Sequence, residues 1–163
     1  MTAHTGFTFF WRSESPFSQW HRSSFTVDGI TFTHAEQYMM HAKAMLFGDS
    51  EVAEQILATN SPRKQKSLGR KVRGFDQDIW ERERENIVRV ANRAKFTQNP
   101  GLKKKLMATG DTELVEASPV DRIWGVGLTA DDPRIQDRKS WRGLNLLGKI
   151  LTELRDELRD EGG

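Results

Sequence analysis

The chain has 163 residues, of which 29% are charged, and 25 Lys and Arg against 23 Asp and Glu leave a formal net charge of +2. No apolar run approaches the roughly 20 residues that span a bilayer, and the N-terminus lacks the pattern of a secretory signal, so we expect a cytoplasmic protein with no membrane partner. The absence of Cys excludes disulfides and thiolate metal sites. A net charge this close to zero argues against a dedicated nucleic-acid binder.

The segments in chain order predict a mainly α-helical fold with a small β-hairpin near the N-terminus. Residues 7–11 form an aromatic run that is typical of a strand. Residues 24–27 and 30–32 alternate apolar and polar side chains around Asp28-Gly29, which is a strong signal for a two-residue hairpin turn. The length suits one core, so we expect residues 1–163 to form a single domain.

The hairpin leads into residues 33–47, which predict a helix that is apolar almost all the way round and therefore buried. This helix carries two formal charges, Glu36 and Lys43. Seven residues at ~100° each make about two turns, so both side chains project from one face, about 10 Å apart along the axis. A carboxylate and an amine on an apolar helix cost desolvation free energy unless they meet a partner, a ligand or each other.

Each of these two charged residues also has an ordinary structural interpretation. Thr33 and Glu36 match a capping box, in which the Glu36 side chain accepts a hydrogen bond from the backbone N–H of Thr33. The ammonium group of Lys43 can reach water along its apolar stem. Both interpretations stay open at the level of sequence, although the two charges together favour a functional site.

Further helices follow. Asp49 or Ser50 caps a helix over residues 51–58, and Ser61-Pro62 begins a short third helix. A densely basic stretch begins there, with Arg63, Lys64, Lys66, Arg70, Lys71 and Arg73. A solvated face is the ordinary explanation of such a stretch, and a phosphate-recognising patch is the functional alternative.

The longest predicted helix begins at Asp76 or Asp78 and reaches about Phe96. Its predicted inward stripe is Trp80, Ile87, Val88, Ala91 and Ala94, and its predicted outer face is Glu81, Arg82, Arg84, Glu85 and Arg89. A short helix over 102–107 and a short strand over 113–117 follow.

Residues 118–127 are loop-like and place Asp121 close to Trp124 and Gly125. Loops of this kind, held by a rigid scaffold, often carry function. Asn145 caps or enters a last helix, whose apolar stripe is Leu147, Ile150 or Leu151, Leu154 and Leu158.

Several kinds of chemistry are absent from the sequence. There is no Gly-rich phosphate loop, no Gly-x-Ser-x-Gly nucleophile elbow and no Cys nucleophile. The four His residues form no metal-binding pattern, so neither a metal nor a cofactor is expected. Carboxylates, Lys and planar aromatic side chains remain as the groups available for chemistry.

With these residues laid out, the chain resembles the NADAR family over nearly its whole length. The matching motifs are Phe9-Phe10-Trp11, Pro16-Phe17-Ser18, Ala35-Glu36-Gln37-Tyr38-Met39-Met40-His41-Ala42-Lys43, Leu68-Gly69-Arg70, Trp80, Ala94-Lys95-Phe96, Leu114-Val115-Glu116, Asp121-Arg122-Ile123-Trp124-Gly125 and Gly143-Leu144-Asn145-Leu146-Leu147-Gly148. A set of motifs of this length, in this order, is highly specific.

The resemblance implies a mainly α-helical fold and an N-glycosidase activity. Family members are associated with two substrate classes, namely ribosylamino-pyrimidine phosphates of early riboflavin synthesis and ADP-ribose attached to guanine in nucleic acid. The resemblance also implies that Glu36, Lys43, Trp80 and Asp121 are active-site residues. The expected partners are therefore a small ribosyl or ADP-ribosyl molecule, or a nucleic acid that carries ADP-ribosylated guanine.

Physical reasoning about the reaction supports these assignments. Cleavage of an N-ribosyl bond builds positive charge on the sugar, so one of Glu36 and Asp121 is suited to stabilise that charge. The other carboxylate then protonates the leaving nitrogen or positions water. A desolvated Lys43 offers a second route, in which the amine attacks C1 of the sugar and passes through a Schiff base.

Substrate-binding residues are expected in the same motifs. Trp80 and Trp124 are candidates to sandwich the base, and Arg12, Arg70 and Lys71 are candidates for the phosphates. Phe10, Gly125 and Asn145 complete the predicted binding set. The alternative function is a non-catalytic ADP-ribose or nucleotide-binding module, in which the same carboxylates hydrogen-bond ribose hydroxyls. A third possibility is a nucleic-acid-binding protein that uses the basic stretch.

Overall fold

A computed structural model describes residues 4–162 of the chain. The described residues form two compact units, one built from the segments up to Ser18 and from Gly101 onward, the other from Gln19–Pro100. Six α-helices and four short strands lie in this part of the chain, so the predicted mainly α-helical fold is confirmed. The expectation that residues 1–163 act as a single domain stays a prediction.

The Gln19–Pro100 unit begins with the predicted hairpin. Strands β2 (Phe25–Val27) and β3 (Ile30–Phe32) pair in antiparallel register. The turn residues Asp28 and Gly29 have φ of 51° and 82°. Positive φ at both positions is what a type I′ turn requires, which explains the Asp-Gly sequence. The hairpin therefore forms where the local sequence predicts it.

Four helices complete this unit, and α1 packs against each of the other three. Their bounds are α1 Ala35–Leu46, α2 Ser50–Leu57, α3 Pro62–Gly69 and α4 Gln77–Gln98. Side chains of Asp49, Ser61 and Asp76 accept hydrogen bonds from backbone N–H groups at the starts of α2, α3 and α4 respectively. These three caps agree with the predicted helix starts.

The predicted capping box at the start of α1 is wrong. The residue before the helix is His34, whose side chain makes no capping hydrogen bond. The backbone N–H of Thr33 instead donates to Oε1 of Gln37, at 2.8 Å. Gln37 thus takes the role that the pattern assigned to Glu36, and the Glu36 carboxylate is not needed for the cap.

Helix α1 is less uniformly buried than its composition predicts. Its first two turns are covered, with Glu36 and Gln37 buried among apolar neighbours. Its last turn exposes Met45 and Leu46. Lys43 lies between these extremes and is half-buried.

Helix α4 buries two cations in addition to its apolar stripe. Arg84, which we predicted on the outer face, is buried, so that prediction is wrong. It lies one turn after Trp80 on the face that includes Val88. Lys95 is fully buried, and its burial lowers its pKa to about 7. The inward face of α4 is therefore wider and more polar than the apolar pattern indicates.

The other unit joins distant parts of the chain. Strand β1 (Phe7–Phe10) pairs in parallel with β4 (Glu113–Glu116). Helix α5 (Pro100–Met107) precedes β4, and α6 (Leu146–Gly162) packs against it. The predicted α6 stripe is confirmed, because its apolar side chains are buried, including both alternatives Ile150 and Leu151.

No helix within residues 4–162 is long and apolar enough to cross a membrane. The described part of the chain also holds no cluster of three or more His, Asp or Glu residues arranged to bind a metal ion. The expected cytoplasmic location stays a prediction.

The buried Lys95 should make stability depend on pH. Its pKa is about 7 in the folded protein and 10.5 when exposed, so the unfolded chain binds more protons between these values and stability rises with pH there. One pKa unit corresponds to about 1.4 kcal/mol. Lys95→Met should therefore stabilise the fold, relative to wild type, by a few kcal/mol more at pH 7 than at pH 10. Urea unfolding at several pH values measures this difference, and a constant difference would contradict it.

Candidate active site

The amine of Lys43 lies against two aromatic rings within the Gln19–Pro100 unit. Its Nζ is 4.8 Å from the ring centre of Phe75 and 5.4 Å from that of Trp80. Both distances are within the range of cation–π attraction. The amine has therefore not simply extended into water along its stem, and the rings cover part of it on the protein side.

Phe75 is a site residue that the sequence analysis missed. The residue is 41% exposed, and its ring packs against that of Phe47 with ring centres 5.3 Å apart. It directly precedes Asp76, the cap of α4, while Trp80 is the fourth residue of that helix. Apolar residues at these two positions are the pattern of a hydrophobic staple, which is the signal that identifies Phe75 in the sequence.

Trp80 and Phe75 differ in what they offer to a ligand. Trp80 is only 9% exposed, so most of its surface is used by the protein. Phe75 presents a much larger free area beside the same amine. Of the two rings beside the Lys43 amine, Phe75 thus presents the larger surface to a planar ligand, and the predicted contact of Trp80 with the base stays a prediction.

Three effects act on the pKa of Lys43. Desolvation by burial is the largest and lowers this pKa, since the charged form loses hydration. The negative charge of Glu36 raises it, and the positive charge of Arg70 lowers it again. Glu36, which the sequence places on the same helix face as Lys43, thus acts on it electrostatically. The net result is an amine that gives up its proton more readily than an exposed lysine.

Glu36 sits in the first turn of α1 and is 4% exposed. Its backbone N–H donates to the carbonyl oxygen of Gln19, at 3.0 Å. The Gln19 side chain in turn accepts a hydrogen bond from Nδ2 of Asn92 on α4, at 2.9 Å. This chain of contacts holds the start of α1 against α4. The helix N-terminus also favours a negative side chain at this position.

Helices α1 and α3 approach closely at Gly69. A Cβ atom at this position would overlap the side chain of Met40. The glycine therefore sets the spacing that places Arg70, the next residue, within electrostatic reach of Lys43. Arg70 and its neighbour Lys71 are both exposed.

In the other unit, the carboxylate of Asp121 organises the loop before α6. Its Oδ1 accepts hydrogen bonds from the backbone N–H groups of Ile123 and Trp124, at 2.9 and 2.8 Å. Its own backbone N–H donates to Oγ of Ser118, at 3.0 Å. Asp121 is half-buried, as is Trp124. These hydrogen bonds give the Asp121 carboxylate a structural role, because they hold the loop in its conformation.

Gly125 and Asn145 are packed tightly in the same unit. A Cβ on Gly125 would lie 2.6 Å from Oε2 of Glu116, which is too close for any larger residue without a shift. Asn145 has φ of 53°, its Oδ1 accepts from the backbone N–H of Glu116, and its Nδ2 donates to the carbonyl oxygen of Leu114. These bonds use the Asn145 amide to join β4 to the start of α6. Its predicted contact with substrate stays a prediction.

The two remaining predicted residues lie at the end of β1. Phe10 is buried and packs edge-to-face on Phe17, with ring centres 5.7 Å apart. Arg12 is exposed and lies over the ring of Trp11. Within each unit the structure thus groups the predicted residues, with Glu36, Lys43, Trp80 and Arg70 in one set and Asp121, Trp124, Gly125 and Asn145 in the other.

The model of the NADAR domain family matches residues 9–159 of the chain. N-glycosidase R617 of Acanthamoeba polyphaga mimivirus is 46% identical over 146 residues, which cover 86% of each protein. N-glycosidase YbiA of Escherichia coli strain K12 is 34% identical over 135 residues, which cover 83% of this chain and 76% of YbiA. A riboflavin biosynthesis protein of Vibrio vulnificus is 33% identical over 137 residues, which cover 84% of this chain but only 34% of that protein.

The NMR structure of Escherichia coli YbiA matches this fold with a TM-score of 0.80 at 30% sequence identity, over 99% of this chain and 89% of that one. The fold is thus that of a known helical class with small sheets. The chain belongs to the NADAR family and is an N-glycosidase of that family. The resemblance noted in the sequence is confirmed.

The exposed ring of Phe75 should matter for turnover of a ribosylated base. Stacking of a base on an aromatic ring is worth about 1–3 kcal/mol. We expect Phe75→Leu to lower kcat/KM about tenfold and Phe75→Tyr to leave it near wild type. Leucine preserves the size and the apolar contact of a hydrophobic staple, so wild-type kinetics in Phe75→Leu would show that the ring has only a packing role.

Asp121 can be tested with two substitutions that separate its loop bonds from its charge. Asp121→Asn keeps an oxygen for the two backbone N–H groups, so thermal stability should stay near wild type. Asp121→Ala removes that acceptor and should cost about 1–2 kcal/mol of unfolding free energy. If the negative charge of Asp121 takes part in the reaction, the Asp121→Asn variant has a lower kcat than wild type at the same stability. An unchanged kcat would exclude a catalytic role for this charge.

Proposed function

We propose that this N-glycosidase cleaves the bond between C1 of a ribose and the nitrogen of a planar base, with Lys43 as nucleophile and Glu36, on the same helix, as the carboxylate that acts with it. One observation carries the proposal: the half-buried Lys43 amine lies against two aromatic rings, in the field of Glu36. Only the unprotonated amine attacks carbon, and a lowered pKa increases the fraction in that form at neutral pH.

In the proposed reaction, Nζ of Lys43 attacks C1 of the ribose. The C1–N bond to the base breaks, and the leaving nitrogen takes up a proton. The new C1–Nζ bond then becomes a protonated Schiff base as the ring oxygen leaves C1 and is itself protonated. Water adds to C1, the C1–Nζ bond breaks, and the free sugar and Lys43 are regenerated. The overall reaction is hydrolysis.

Glu36 is suited to two parts of this reaction. Positive charge builds on the sugar as the C1–N bond weakens, and a buried carboxylate nearby stabilises that charge more strongly than one in water. The same group in its acid form can deliver the proton to the leaving nitrogen. Asp121 is the second carboxylate that the family resemblance assigns to the reaction, and that assignment stays a prediction.

Two substrate classes fit this chemistry. ADP-ribose joined to guanine and the ribosylamino-pyrimidine phosphates both contain a ribose, a phosphate and a planar nitrogenous leaving group. The exposed Phe75 ring beside Lys43 supports a planar leaving group in either case. The name of the Vibrio vulnificus relative concerns riboflavin biosynthesis, which supports the second class.

The non-catalytic binding module was the alternative function that the sequence left open. The same carboxylates would then hydrogen-bond ribose hydroxyls, and Phe75 would stack on the base with no bond broken. The relatives named N-glycosidases favour the enzyme. Release of free base separates the two functions, since a module binds its ligand and returns it unchanged.

The test is incubation with each substrate class in the presence of cyanoborohydride, which reduces a Schiff base to a stable amine. Wild type should release free base from at least one class and carry the sugar on the peptide that contains Lys43, as seen by mass spectrometry. Lys43→Ala and Glu36→Gln should slow release by about 100-fold or more. Lys104→Ala, which removes an exposed lysine of α5, should behave as wild type.

Two results would contradict the proposal in different ways. Full turnover by Lys43→Ala would exclude the covalent route while leaving hydrolysis by the carboxylates. Tight binding of both substrate classes with no base released would favour the binding module.

A further inference from the structure

Arg84 is a buried cation with no partner in the part of the chain that the structure describes. The residue is 8% exposed, and its Nε is enclosed without a hydrogen-bond acceptor. Its Nη1 and Nη2 form no hydrogen bond or ion pair within residues 4–162, and these two nitrogens are not enclosed. The end of the guanidinium is therefore charged, unpaired and open to a ligand.

No neighbouring carboxylate compensates this charge. Glu81 is three residues before Arg84 on α4, a spacing that allows an ion pair, but it is exposed and does not pair with Arg84. Arg155, which is also buried, shows how a buried arginine is ordinarily held. Its Nε pairs with Asp156 at 3.1 Å, and its Nη1 donates to Oγ1 of Thr109 at 3.0 Å. An unpaired buried guanidinium costs desolvation free energy, so Arg84 destabilises the fold unless an anion binds to it.

Arg84 is one helical turn from the ring that contacts the proposed nucleophile. Trp80 is four residues before Arg84 on the buried face of α4, so the two side chains start about 6 Å apart. The ring centre of Trp80 is in turn 5.4 Å from Nζ of Lys43. A ligand that reaches the Lys43 amine past Trp80 thus comes within reach of Arg84.

The other side of Arg84 along α4 leads toward the buried carboxylate. Asn92, two turns after Arg84, donates to the side chain of Gln19, and the Gln19 carbonyl oxygen accepts the backbone N–H of Glu36. Arg84 therefore occupies a position on α4 between the contact with the nucleophile and the contact with the segment that carries Glu36. All of these residues belong to the Gln19–Pro100 unit.

Phosphate is the anion that suits this position. A guanidinium donates two parallel hydrogen bonds to phosphate, and it is more weakly hydrated than an ammonium group, so it suits a buried site. Both substrate classes of the proposed function carry phosphate on the ribose that is cleaved. The 5′-phosphate is separated from C1 by the sugar ring and one carbon, and the single turn between Trp80 and Arg84 matches that separation.

The cations that the sequence suggested for phosphate differ from Arg84 in their exposure. Arg12, Arg70 and Lys71 are all exposed. Water and salt screen an exposed cation, whereas a cation in buried surroundings attracts an anion more strongly. Arg84 is thus better suited than these three residues to distinguish a phosphorylated ribose from an unphosphorylated one.

We propose that Arg84 binds the 5′-phosphate of the ribosyl group while Lys43 attacks C1, so that the enzyme selects 5′-phosphorylated ribosides over unphosphorylated ones. The inference rests on the proposed function and adds a specificity-determining residue to it. Arg84 forms no bond to the reacting atoms and holds the sugar through its phosphate. The phosphate in turn pairs with the guanidinium, so substrate binding removes a desolvation cost that the free enzyme carries.

Inorganic phosphate tests the anion site without catalysis. At equal ionic strength, phosphate should raise the Tm of wild type above its value in chloride, because a ligand of the folded state stabilises it. Arg84→Gln should lose most of this increase, and Arg84→Lys, which keeps the charge, should retain part of it. The matched control Arg82→Gln removes an exposed arginine of the same helix and should keep the whole increase. An equal increase in Arg84→Gln and wild type would overturn the proposal.

Kinetics then identify the phosphate that Arg84 binds. Each substrate class is compared with the same compound lacking the 5′-phosphate of the cleaved ribose. Arg84→Gln should raise KM for the phosphorylated compound about tenfold or more, since hydrogen bonds between charged groups are the strong ones, and should leave KM for the unphosphorylated compound unchanged. Equal factors for the two compounds would contradict a phosphate contact, and Arg82→Gln should behave as wild type with both.

The pH profile of kcat separates phosphate binding from an effect on the nucleophile. Arg84 is not among the charges that act on the pKa of Lys43, so Arg84→Gln should leave the profile unchanged. Arg70→Gln should move the profile to higher pH, because Arg70 lowers the pKa of Lys43. A shifted profile in Arg84→Gln would show that Arg84 acts through Lys43 and would contradict the proposal.

Failure of this inference is distinguishable from failure of the proposed function. Phosphate binding that depends on Arg84, with no base released from any substrate, would retain the anion site and reject the proposed function. Release of base with the same KM in Arg84→Gln and wild type would retain the proposed function and reject the role of Arg84.

Discussion

The desolvation free energy of a charged amine on a packed helix is the constraint on which the rest of this structure depends. Helix α1 contacts α2, α3 and α4, so any charge on it meets protein on several sides. Lys43 is accommodated by two aromatic rings and by the charge of Glu36, and its pKa is nevertheless lowered by burial. The close approach at Gly69, the α4 start at Asp76 and the buried Glu36 all contribute to this arrangement. A reactive amine is thus a consequence of how the unit packs.

A second lysine in the same unit shows that a lowered pKa does not by itself identify a nucleophile. Burial lowers the pKa of Lys95 to about 7, yet this side chain is fully enclosed and cannot reach a ligand. Lys43 has a smaller desolvation but borders an exposed aromatic ring. A reactive lysine is both partly desolvated and accessible to a ligand. A lysine that is desolvated but inaccessible is part of the protein interior.

Most local signals in the sequence formed as predicted, and two predictions about single residues failed. The Asp28-Gly29 turn and the caps at Asp49, Ser61 and Asp76 formed as predicted, because each involves residues within one turn of the chain. The outward placement of Arg84 was wrong because α4 is covered on a wider face than its apolar stripe. The capping box at Thr33 did not form, because Gln37 rather than Glu36 accepts the hydrogen bond of the Thr33 backbone N–H.

The sequence by itself determined the helices, the hairpin, the family and the pair of charges on α1. Periodicity, turn residues and motif order are properties of residues that are close together or ordered along the chain. Only the tertiary structure decided the parallel pairing of β1 with β4, the position of Phe75 beside Lys43, and the burial of Arg84. These features join residues from different elements. Their energies depend on burial and on distances between side chains, which a linear pattern does not contain.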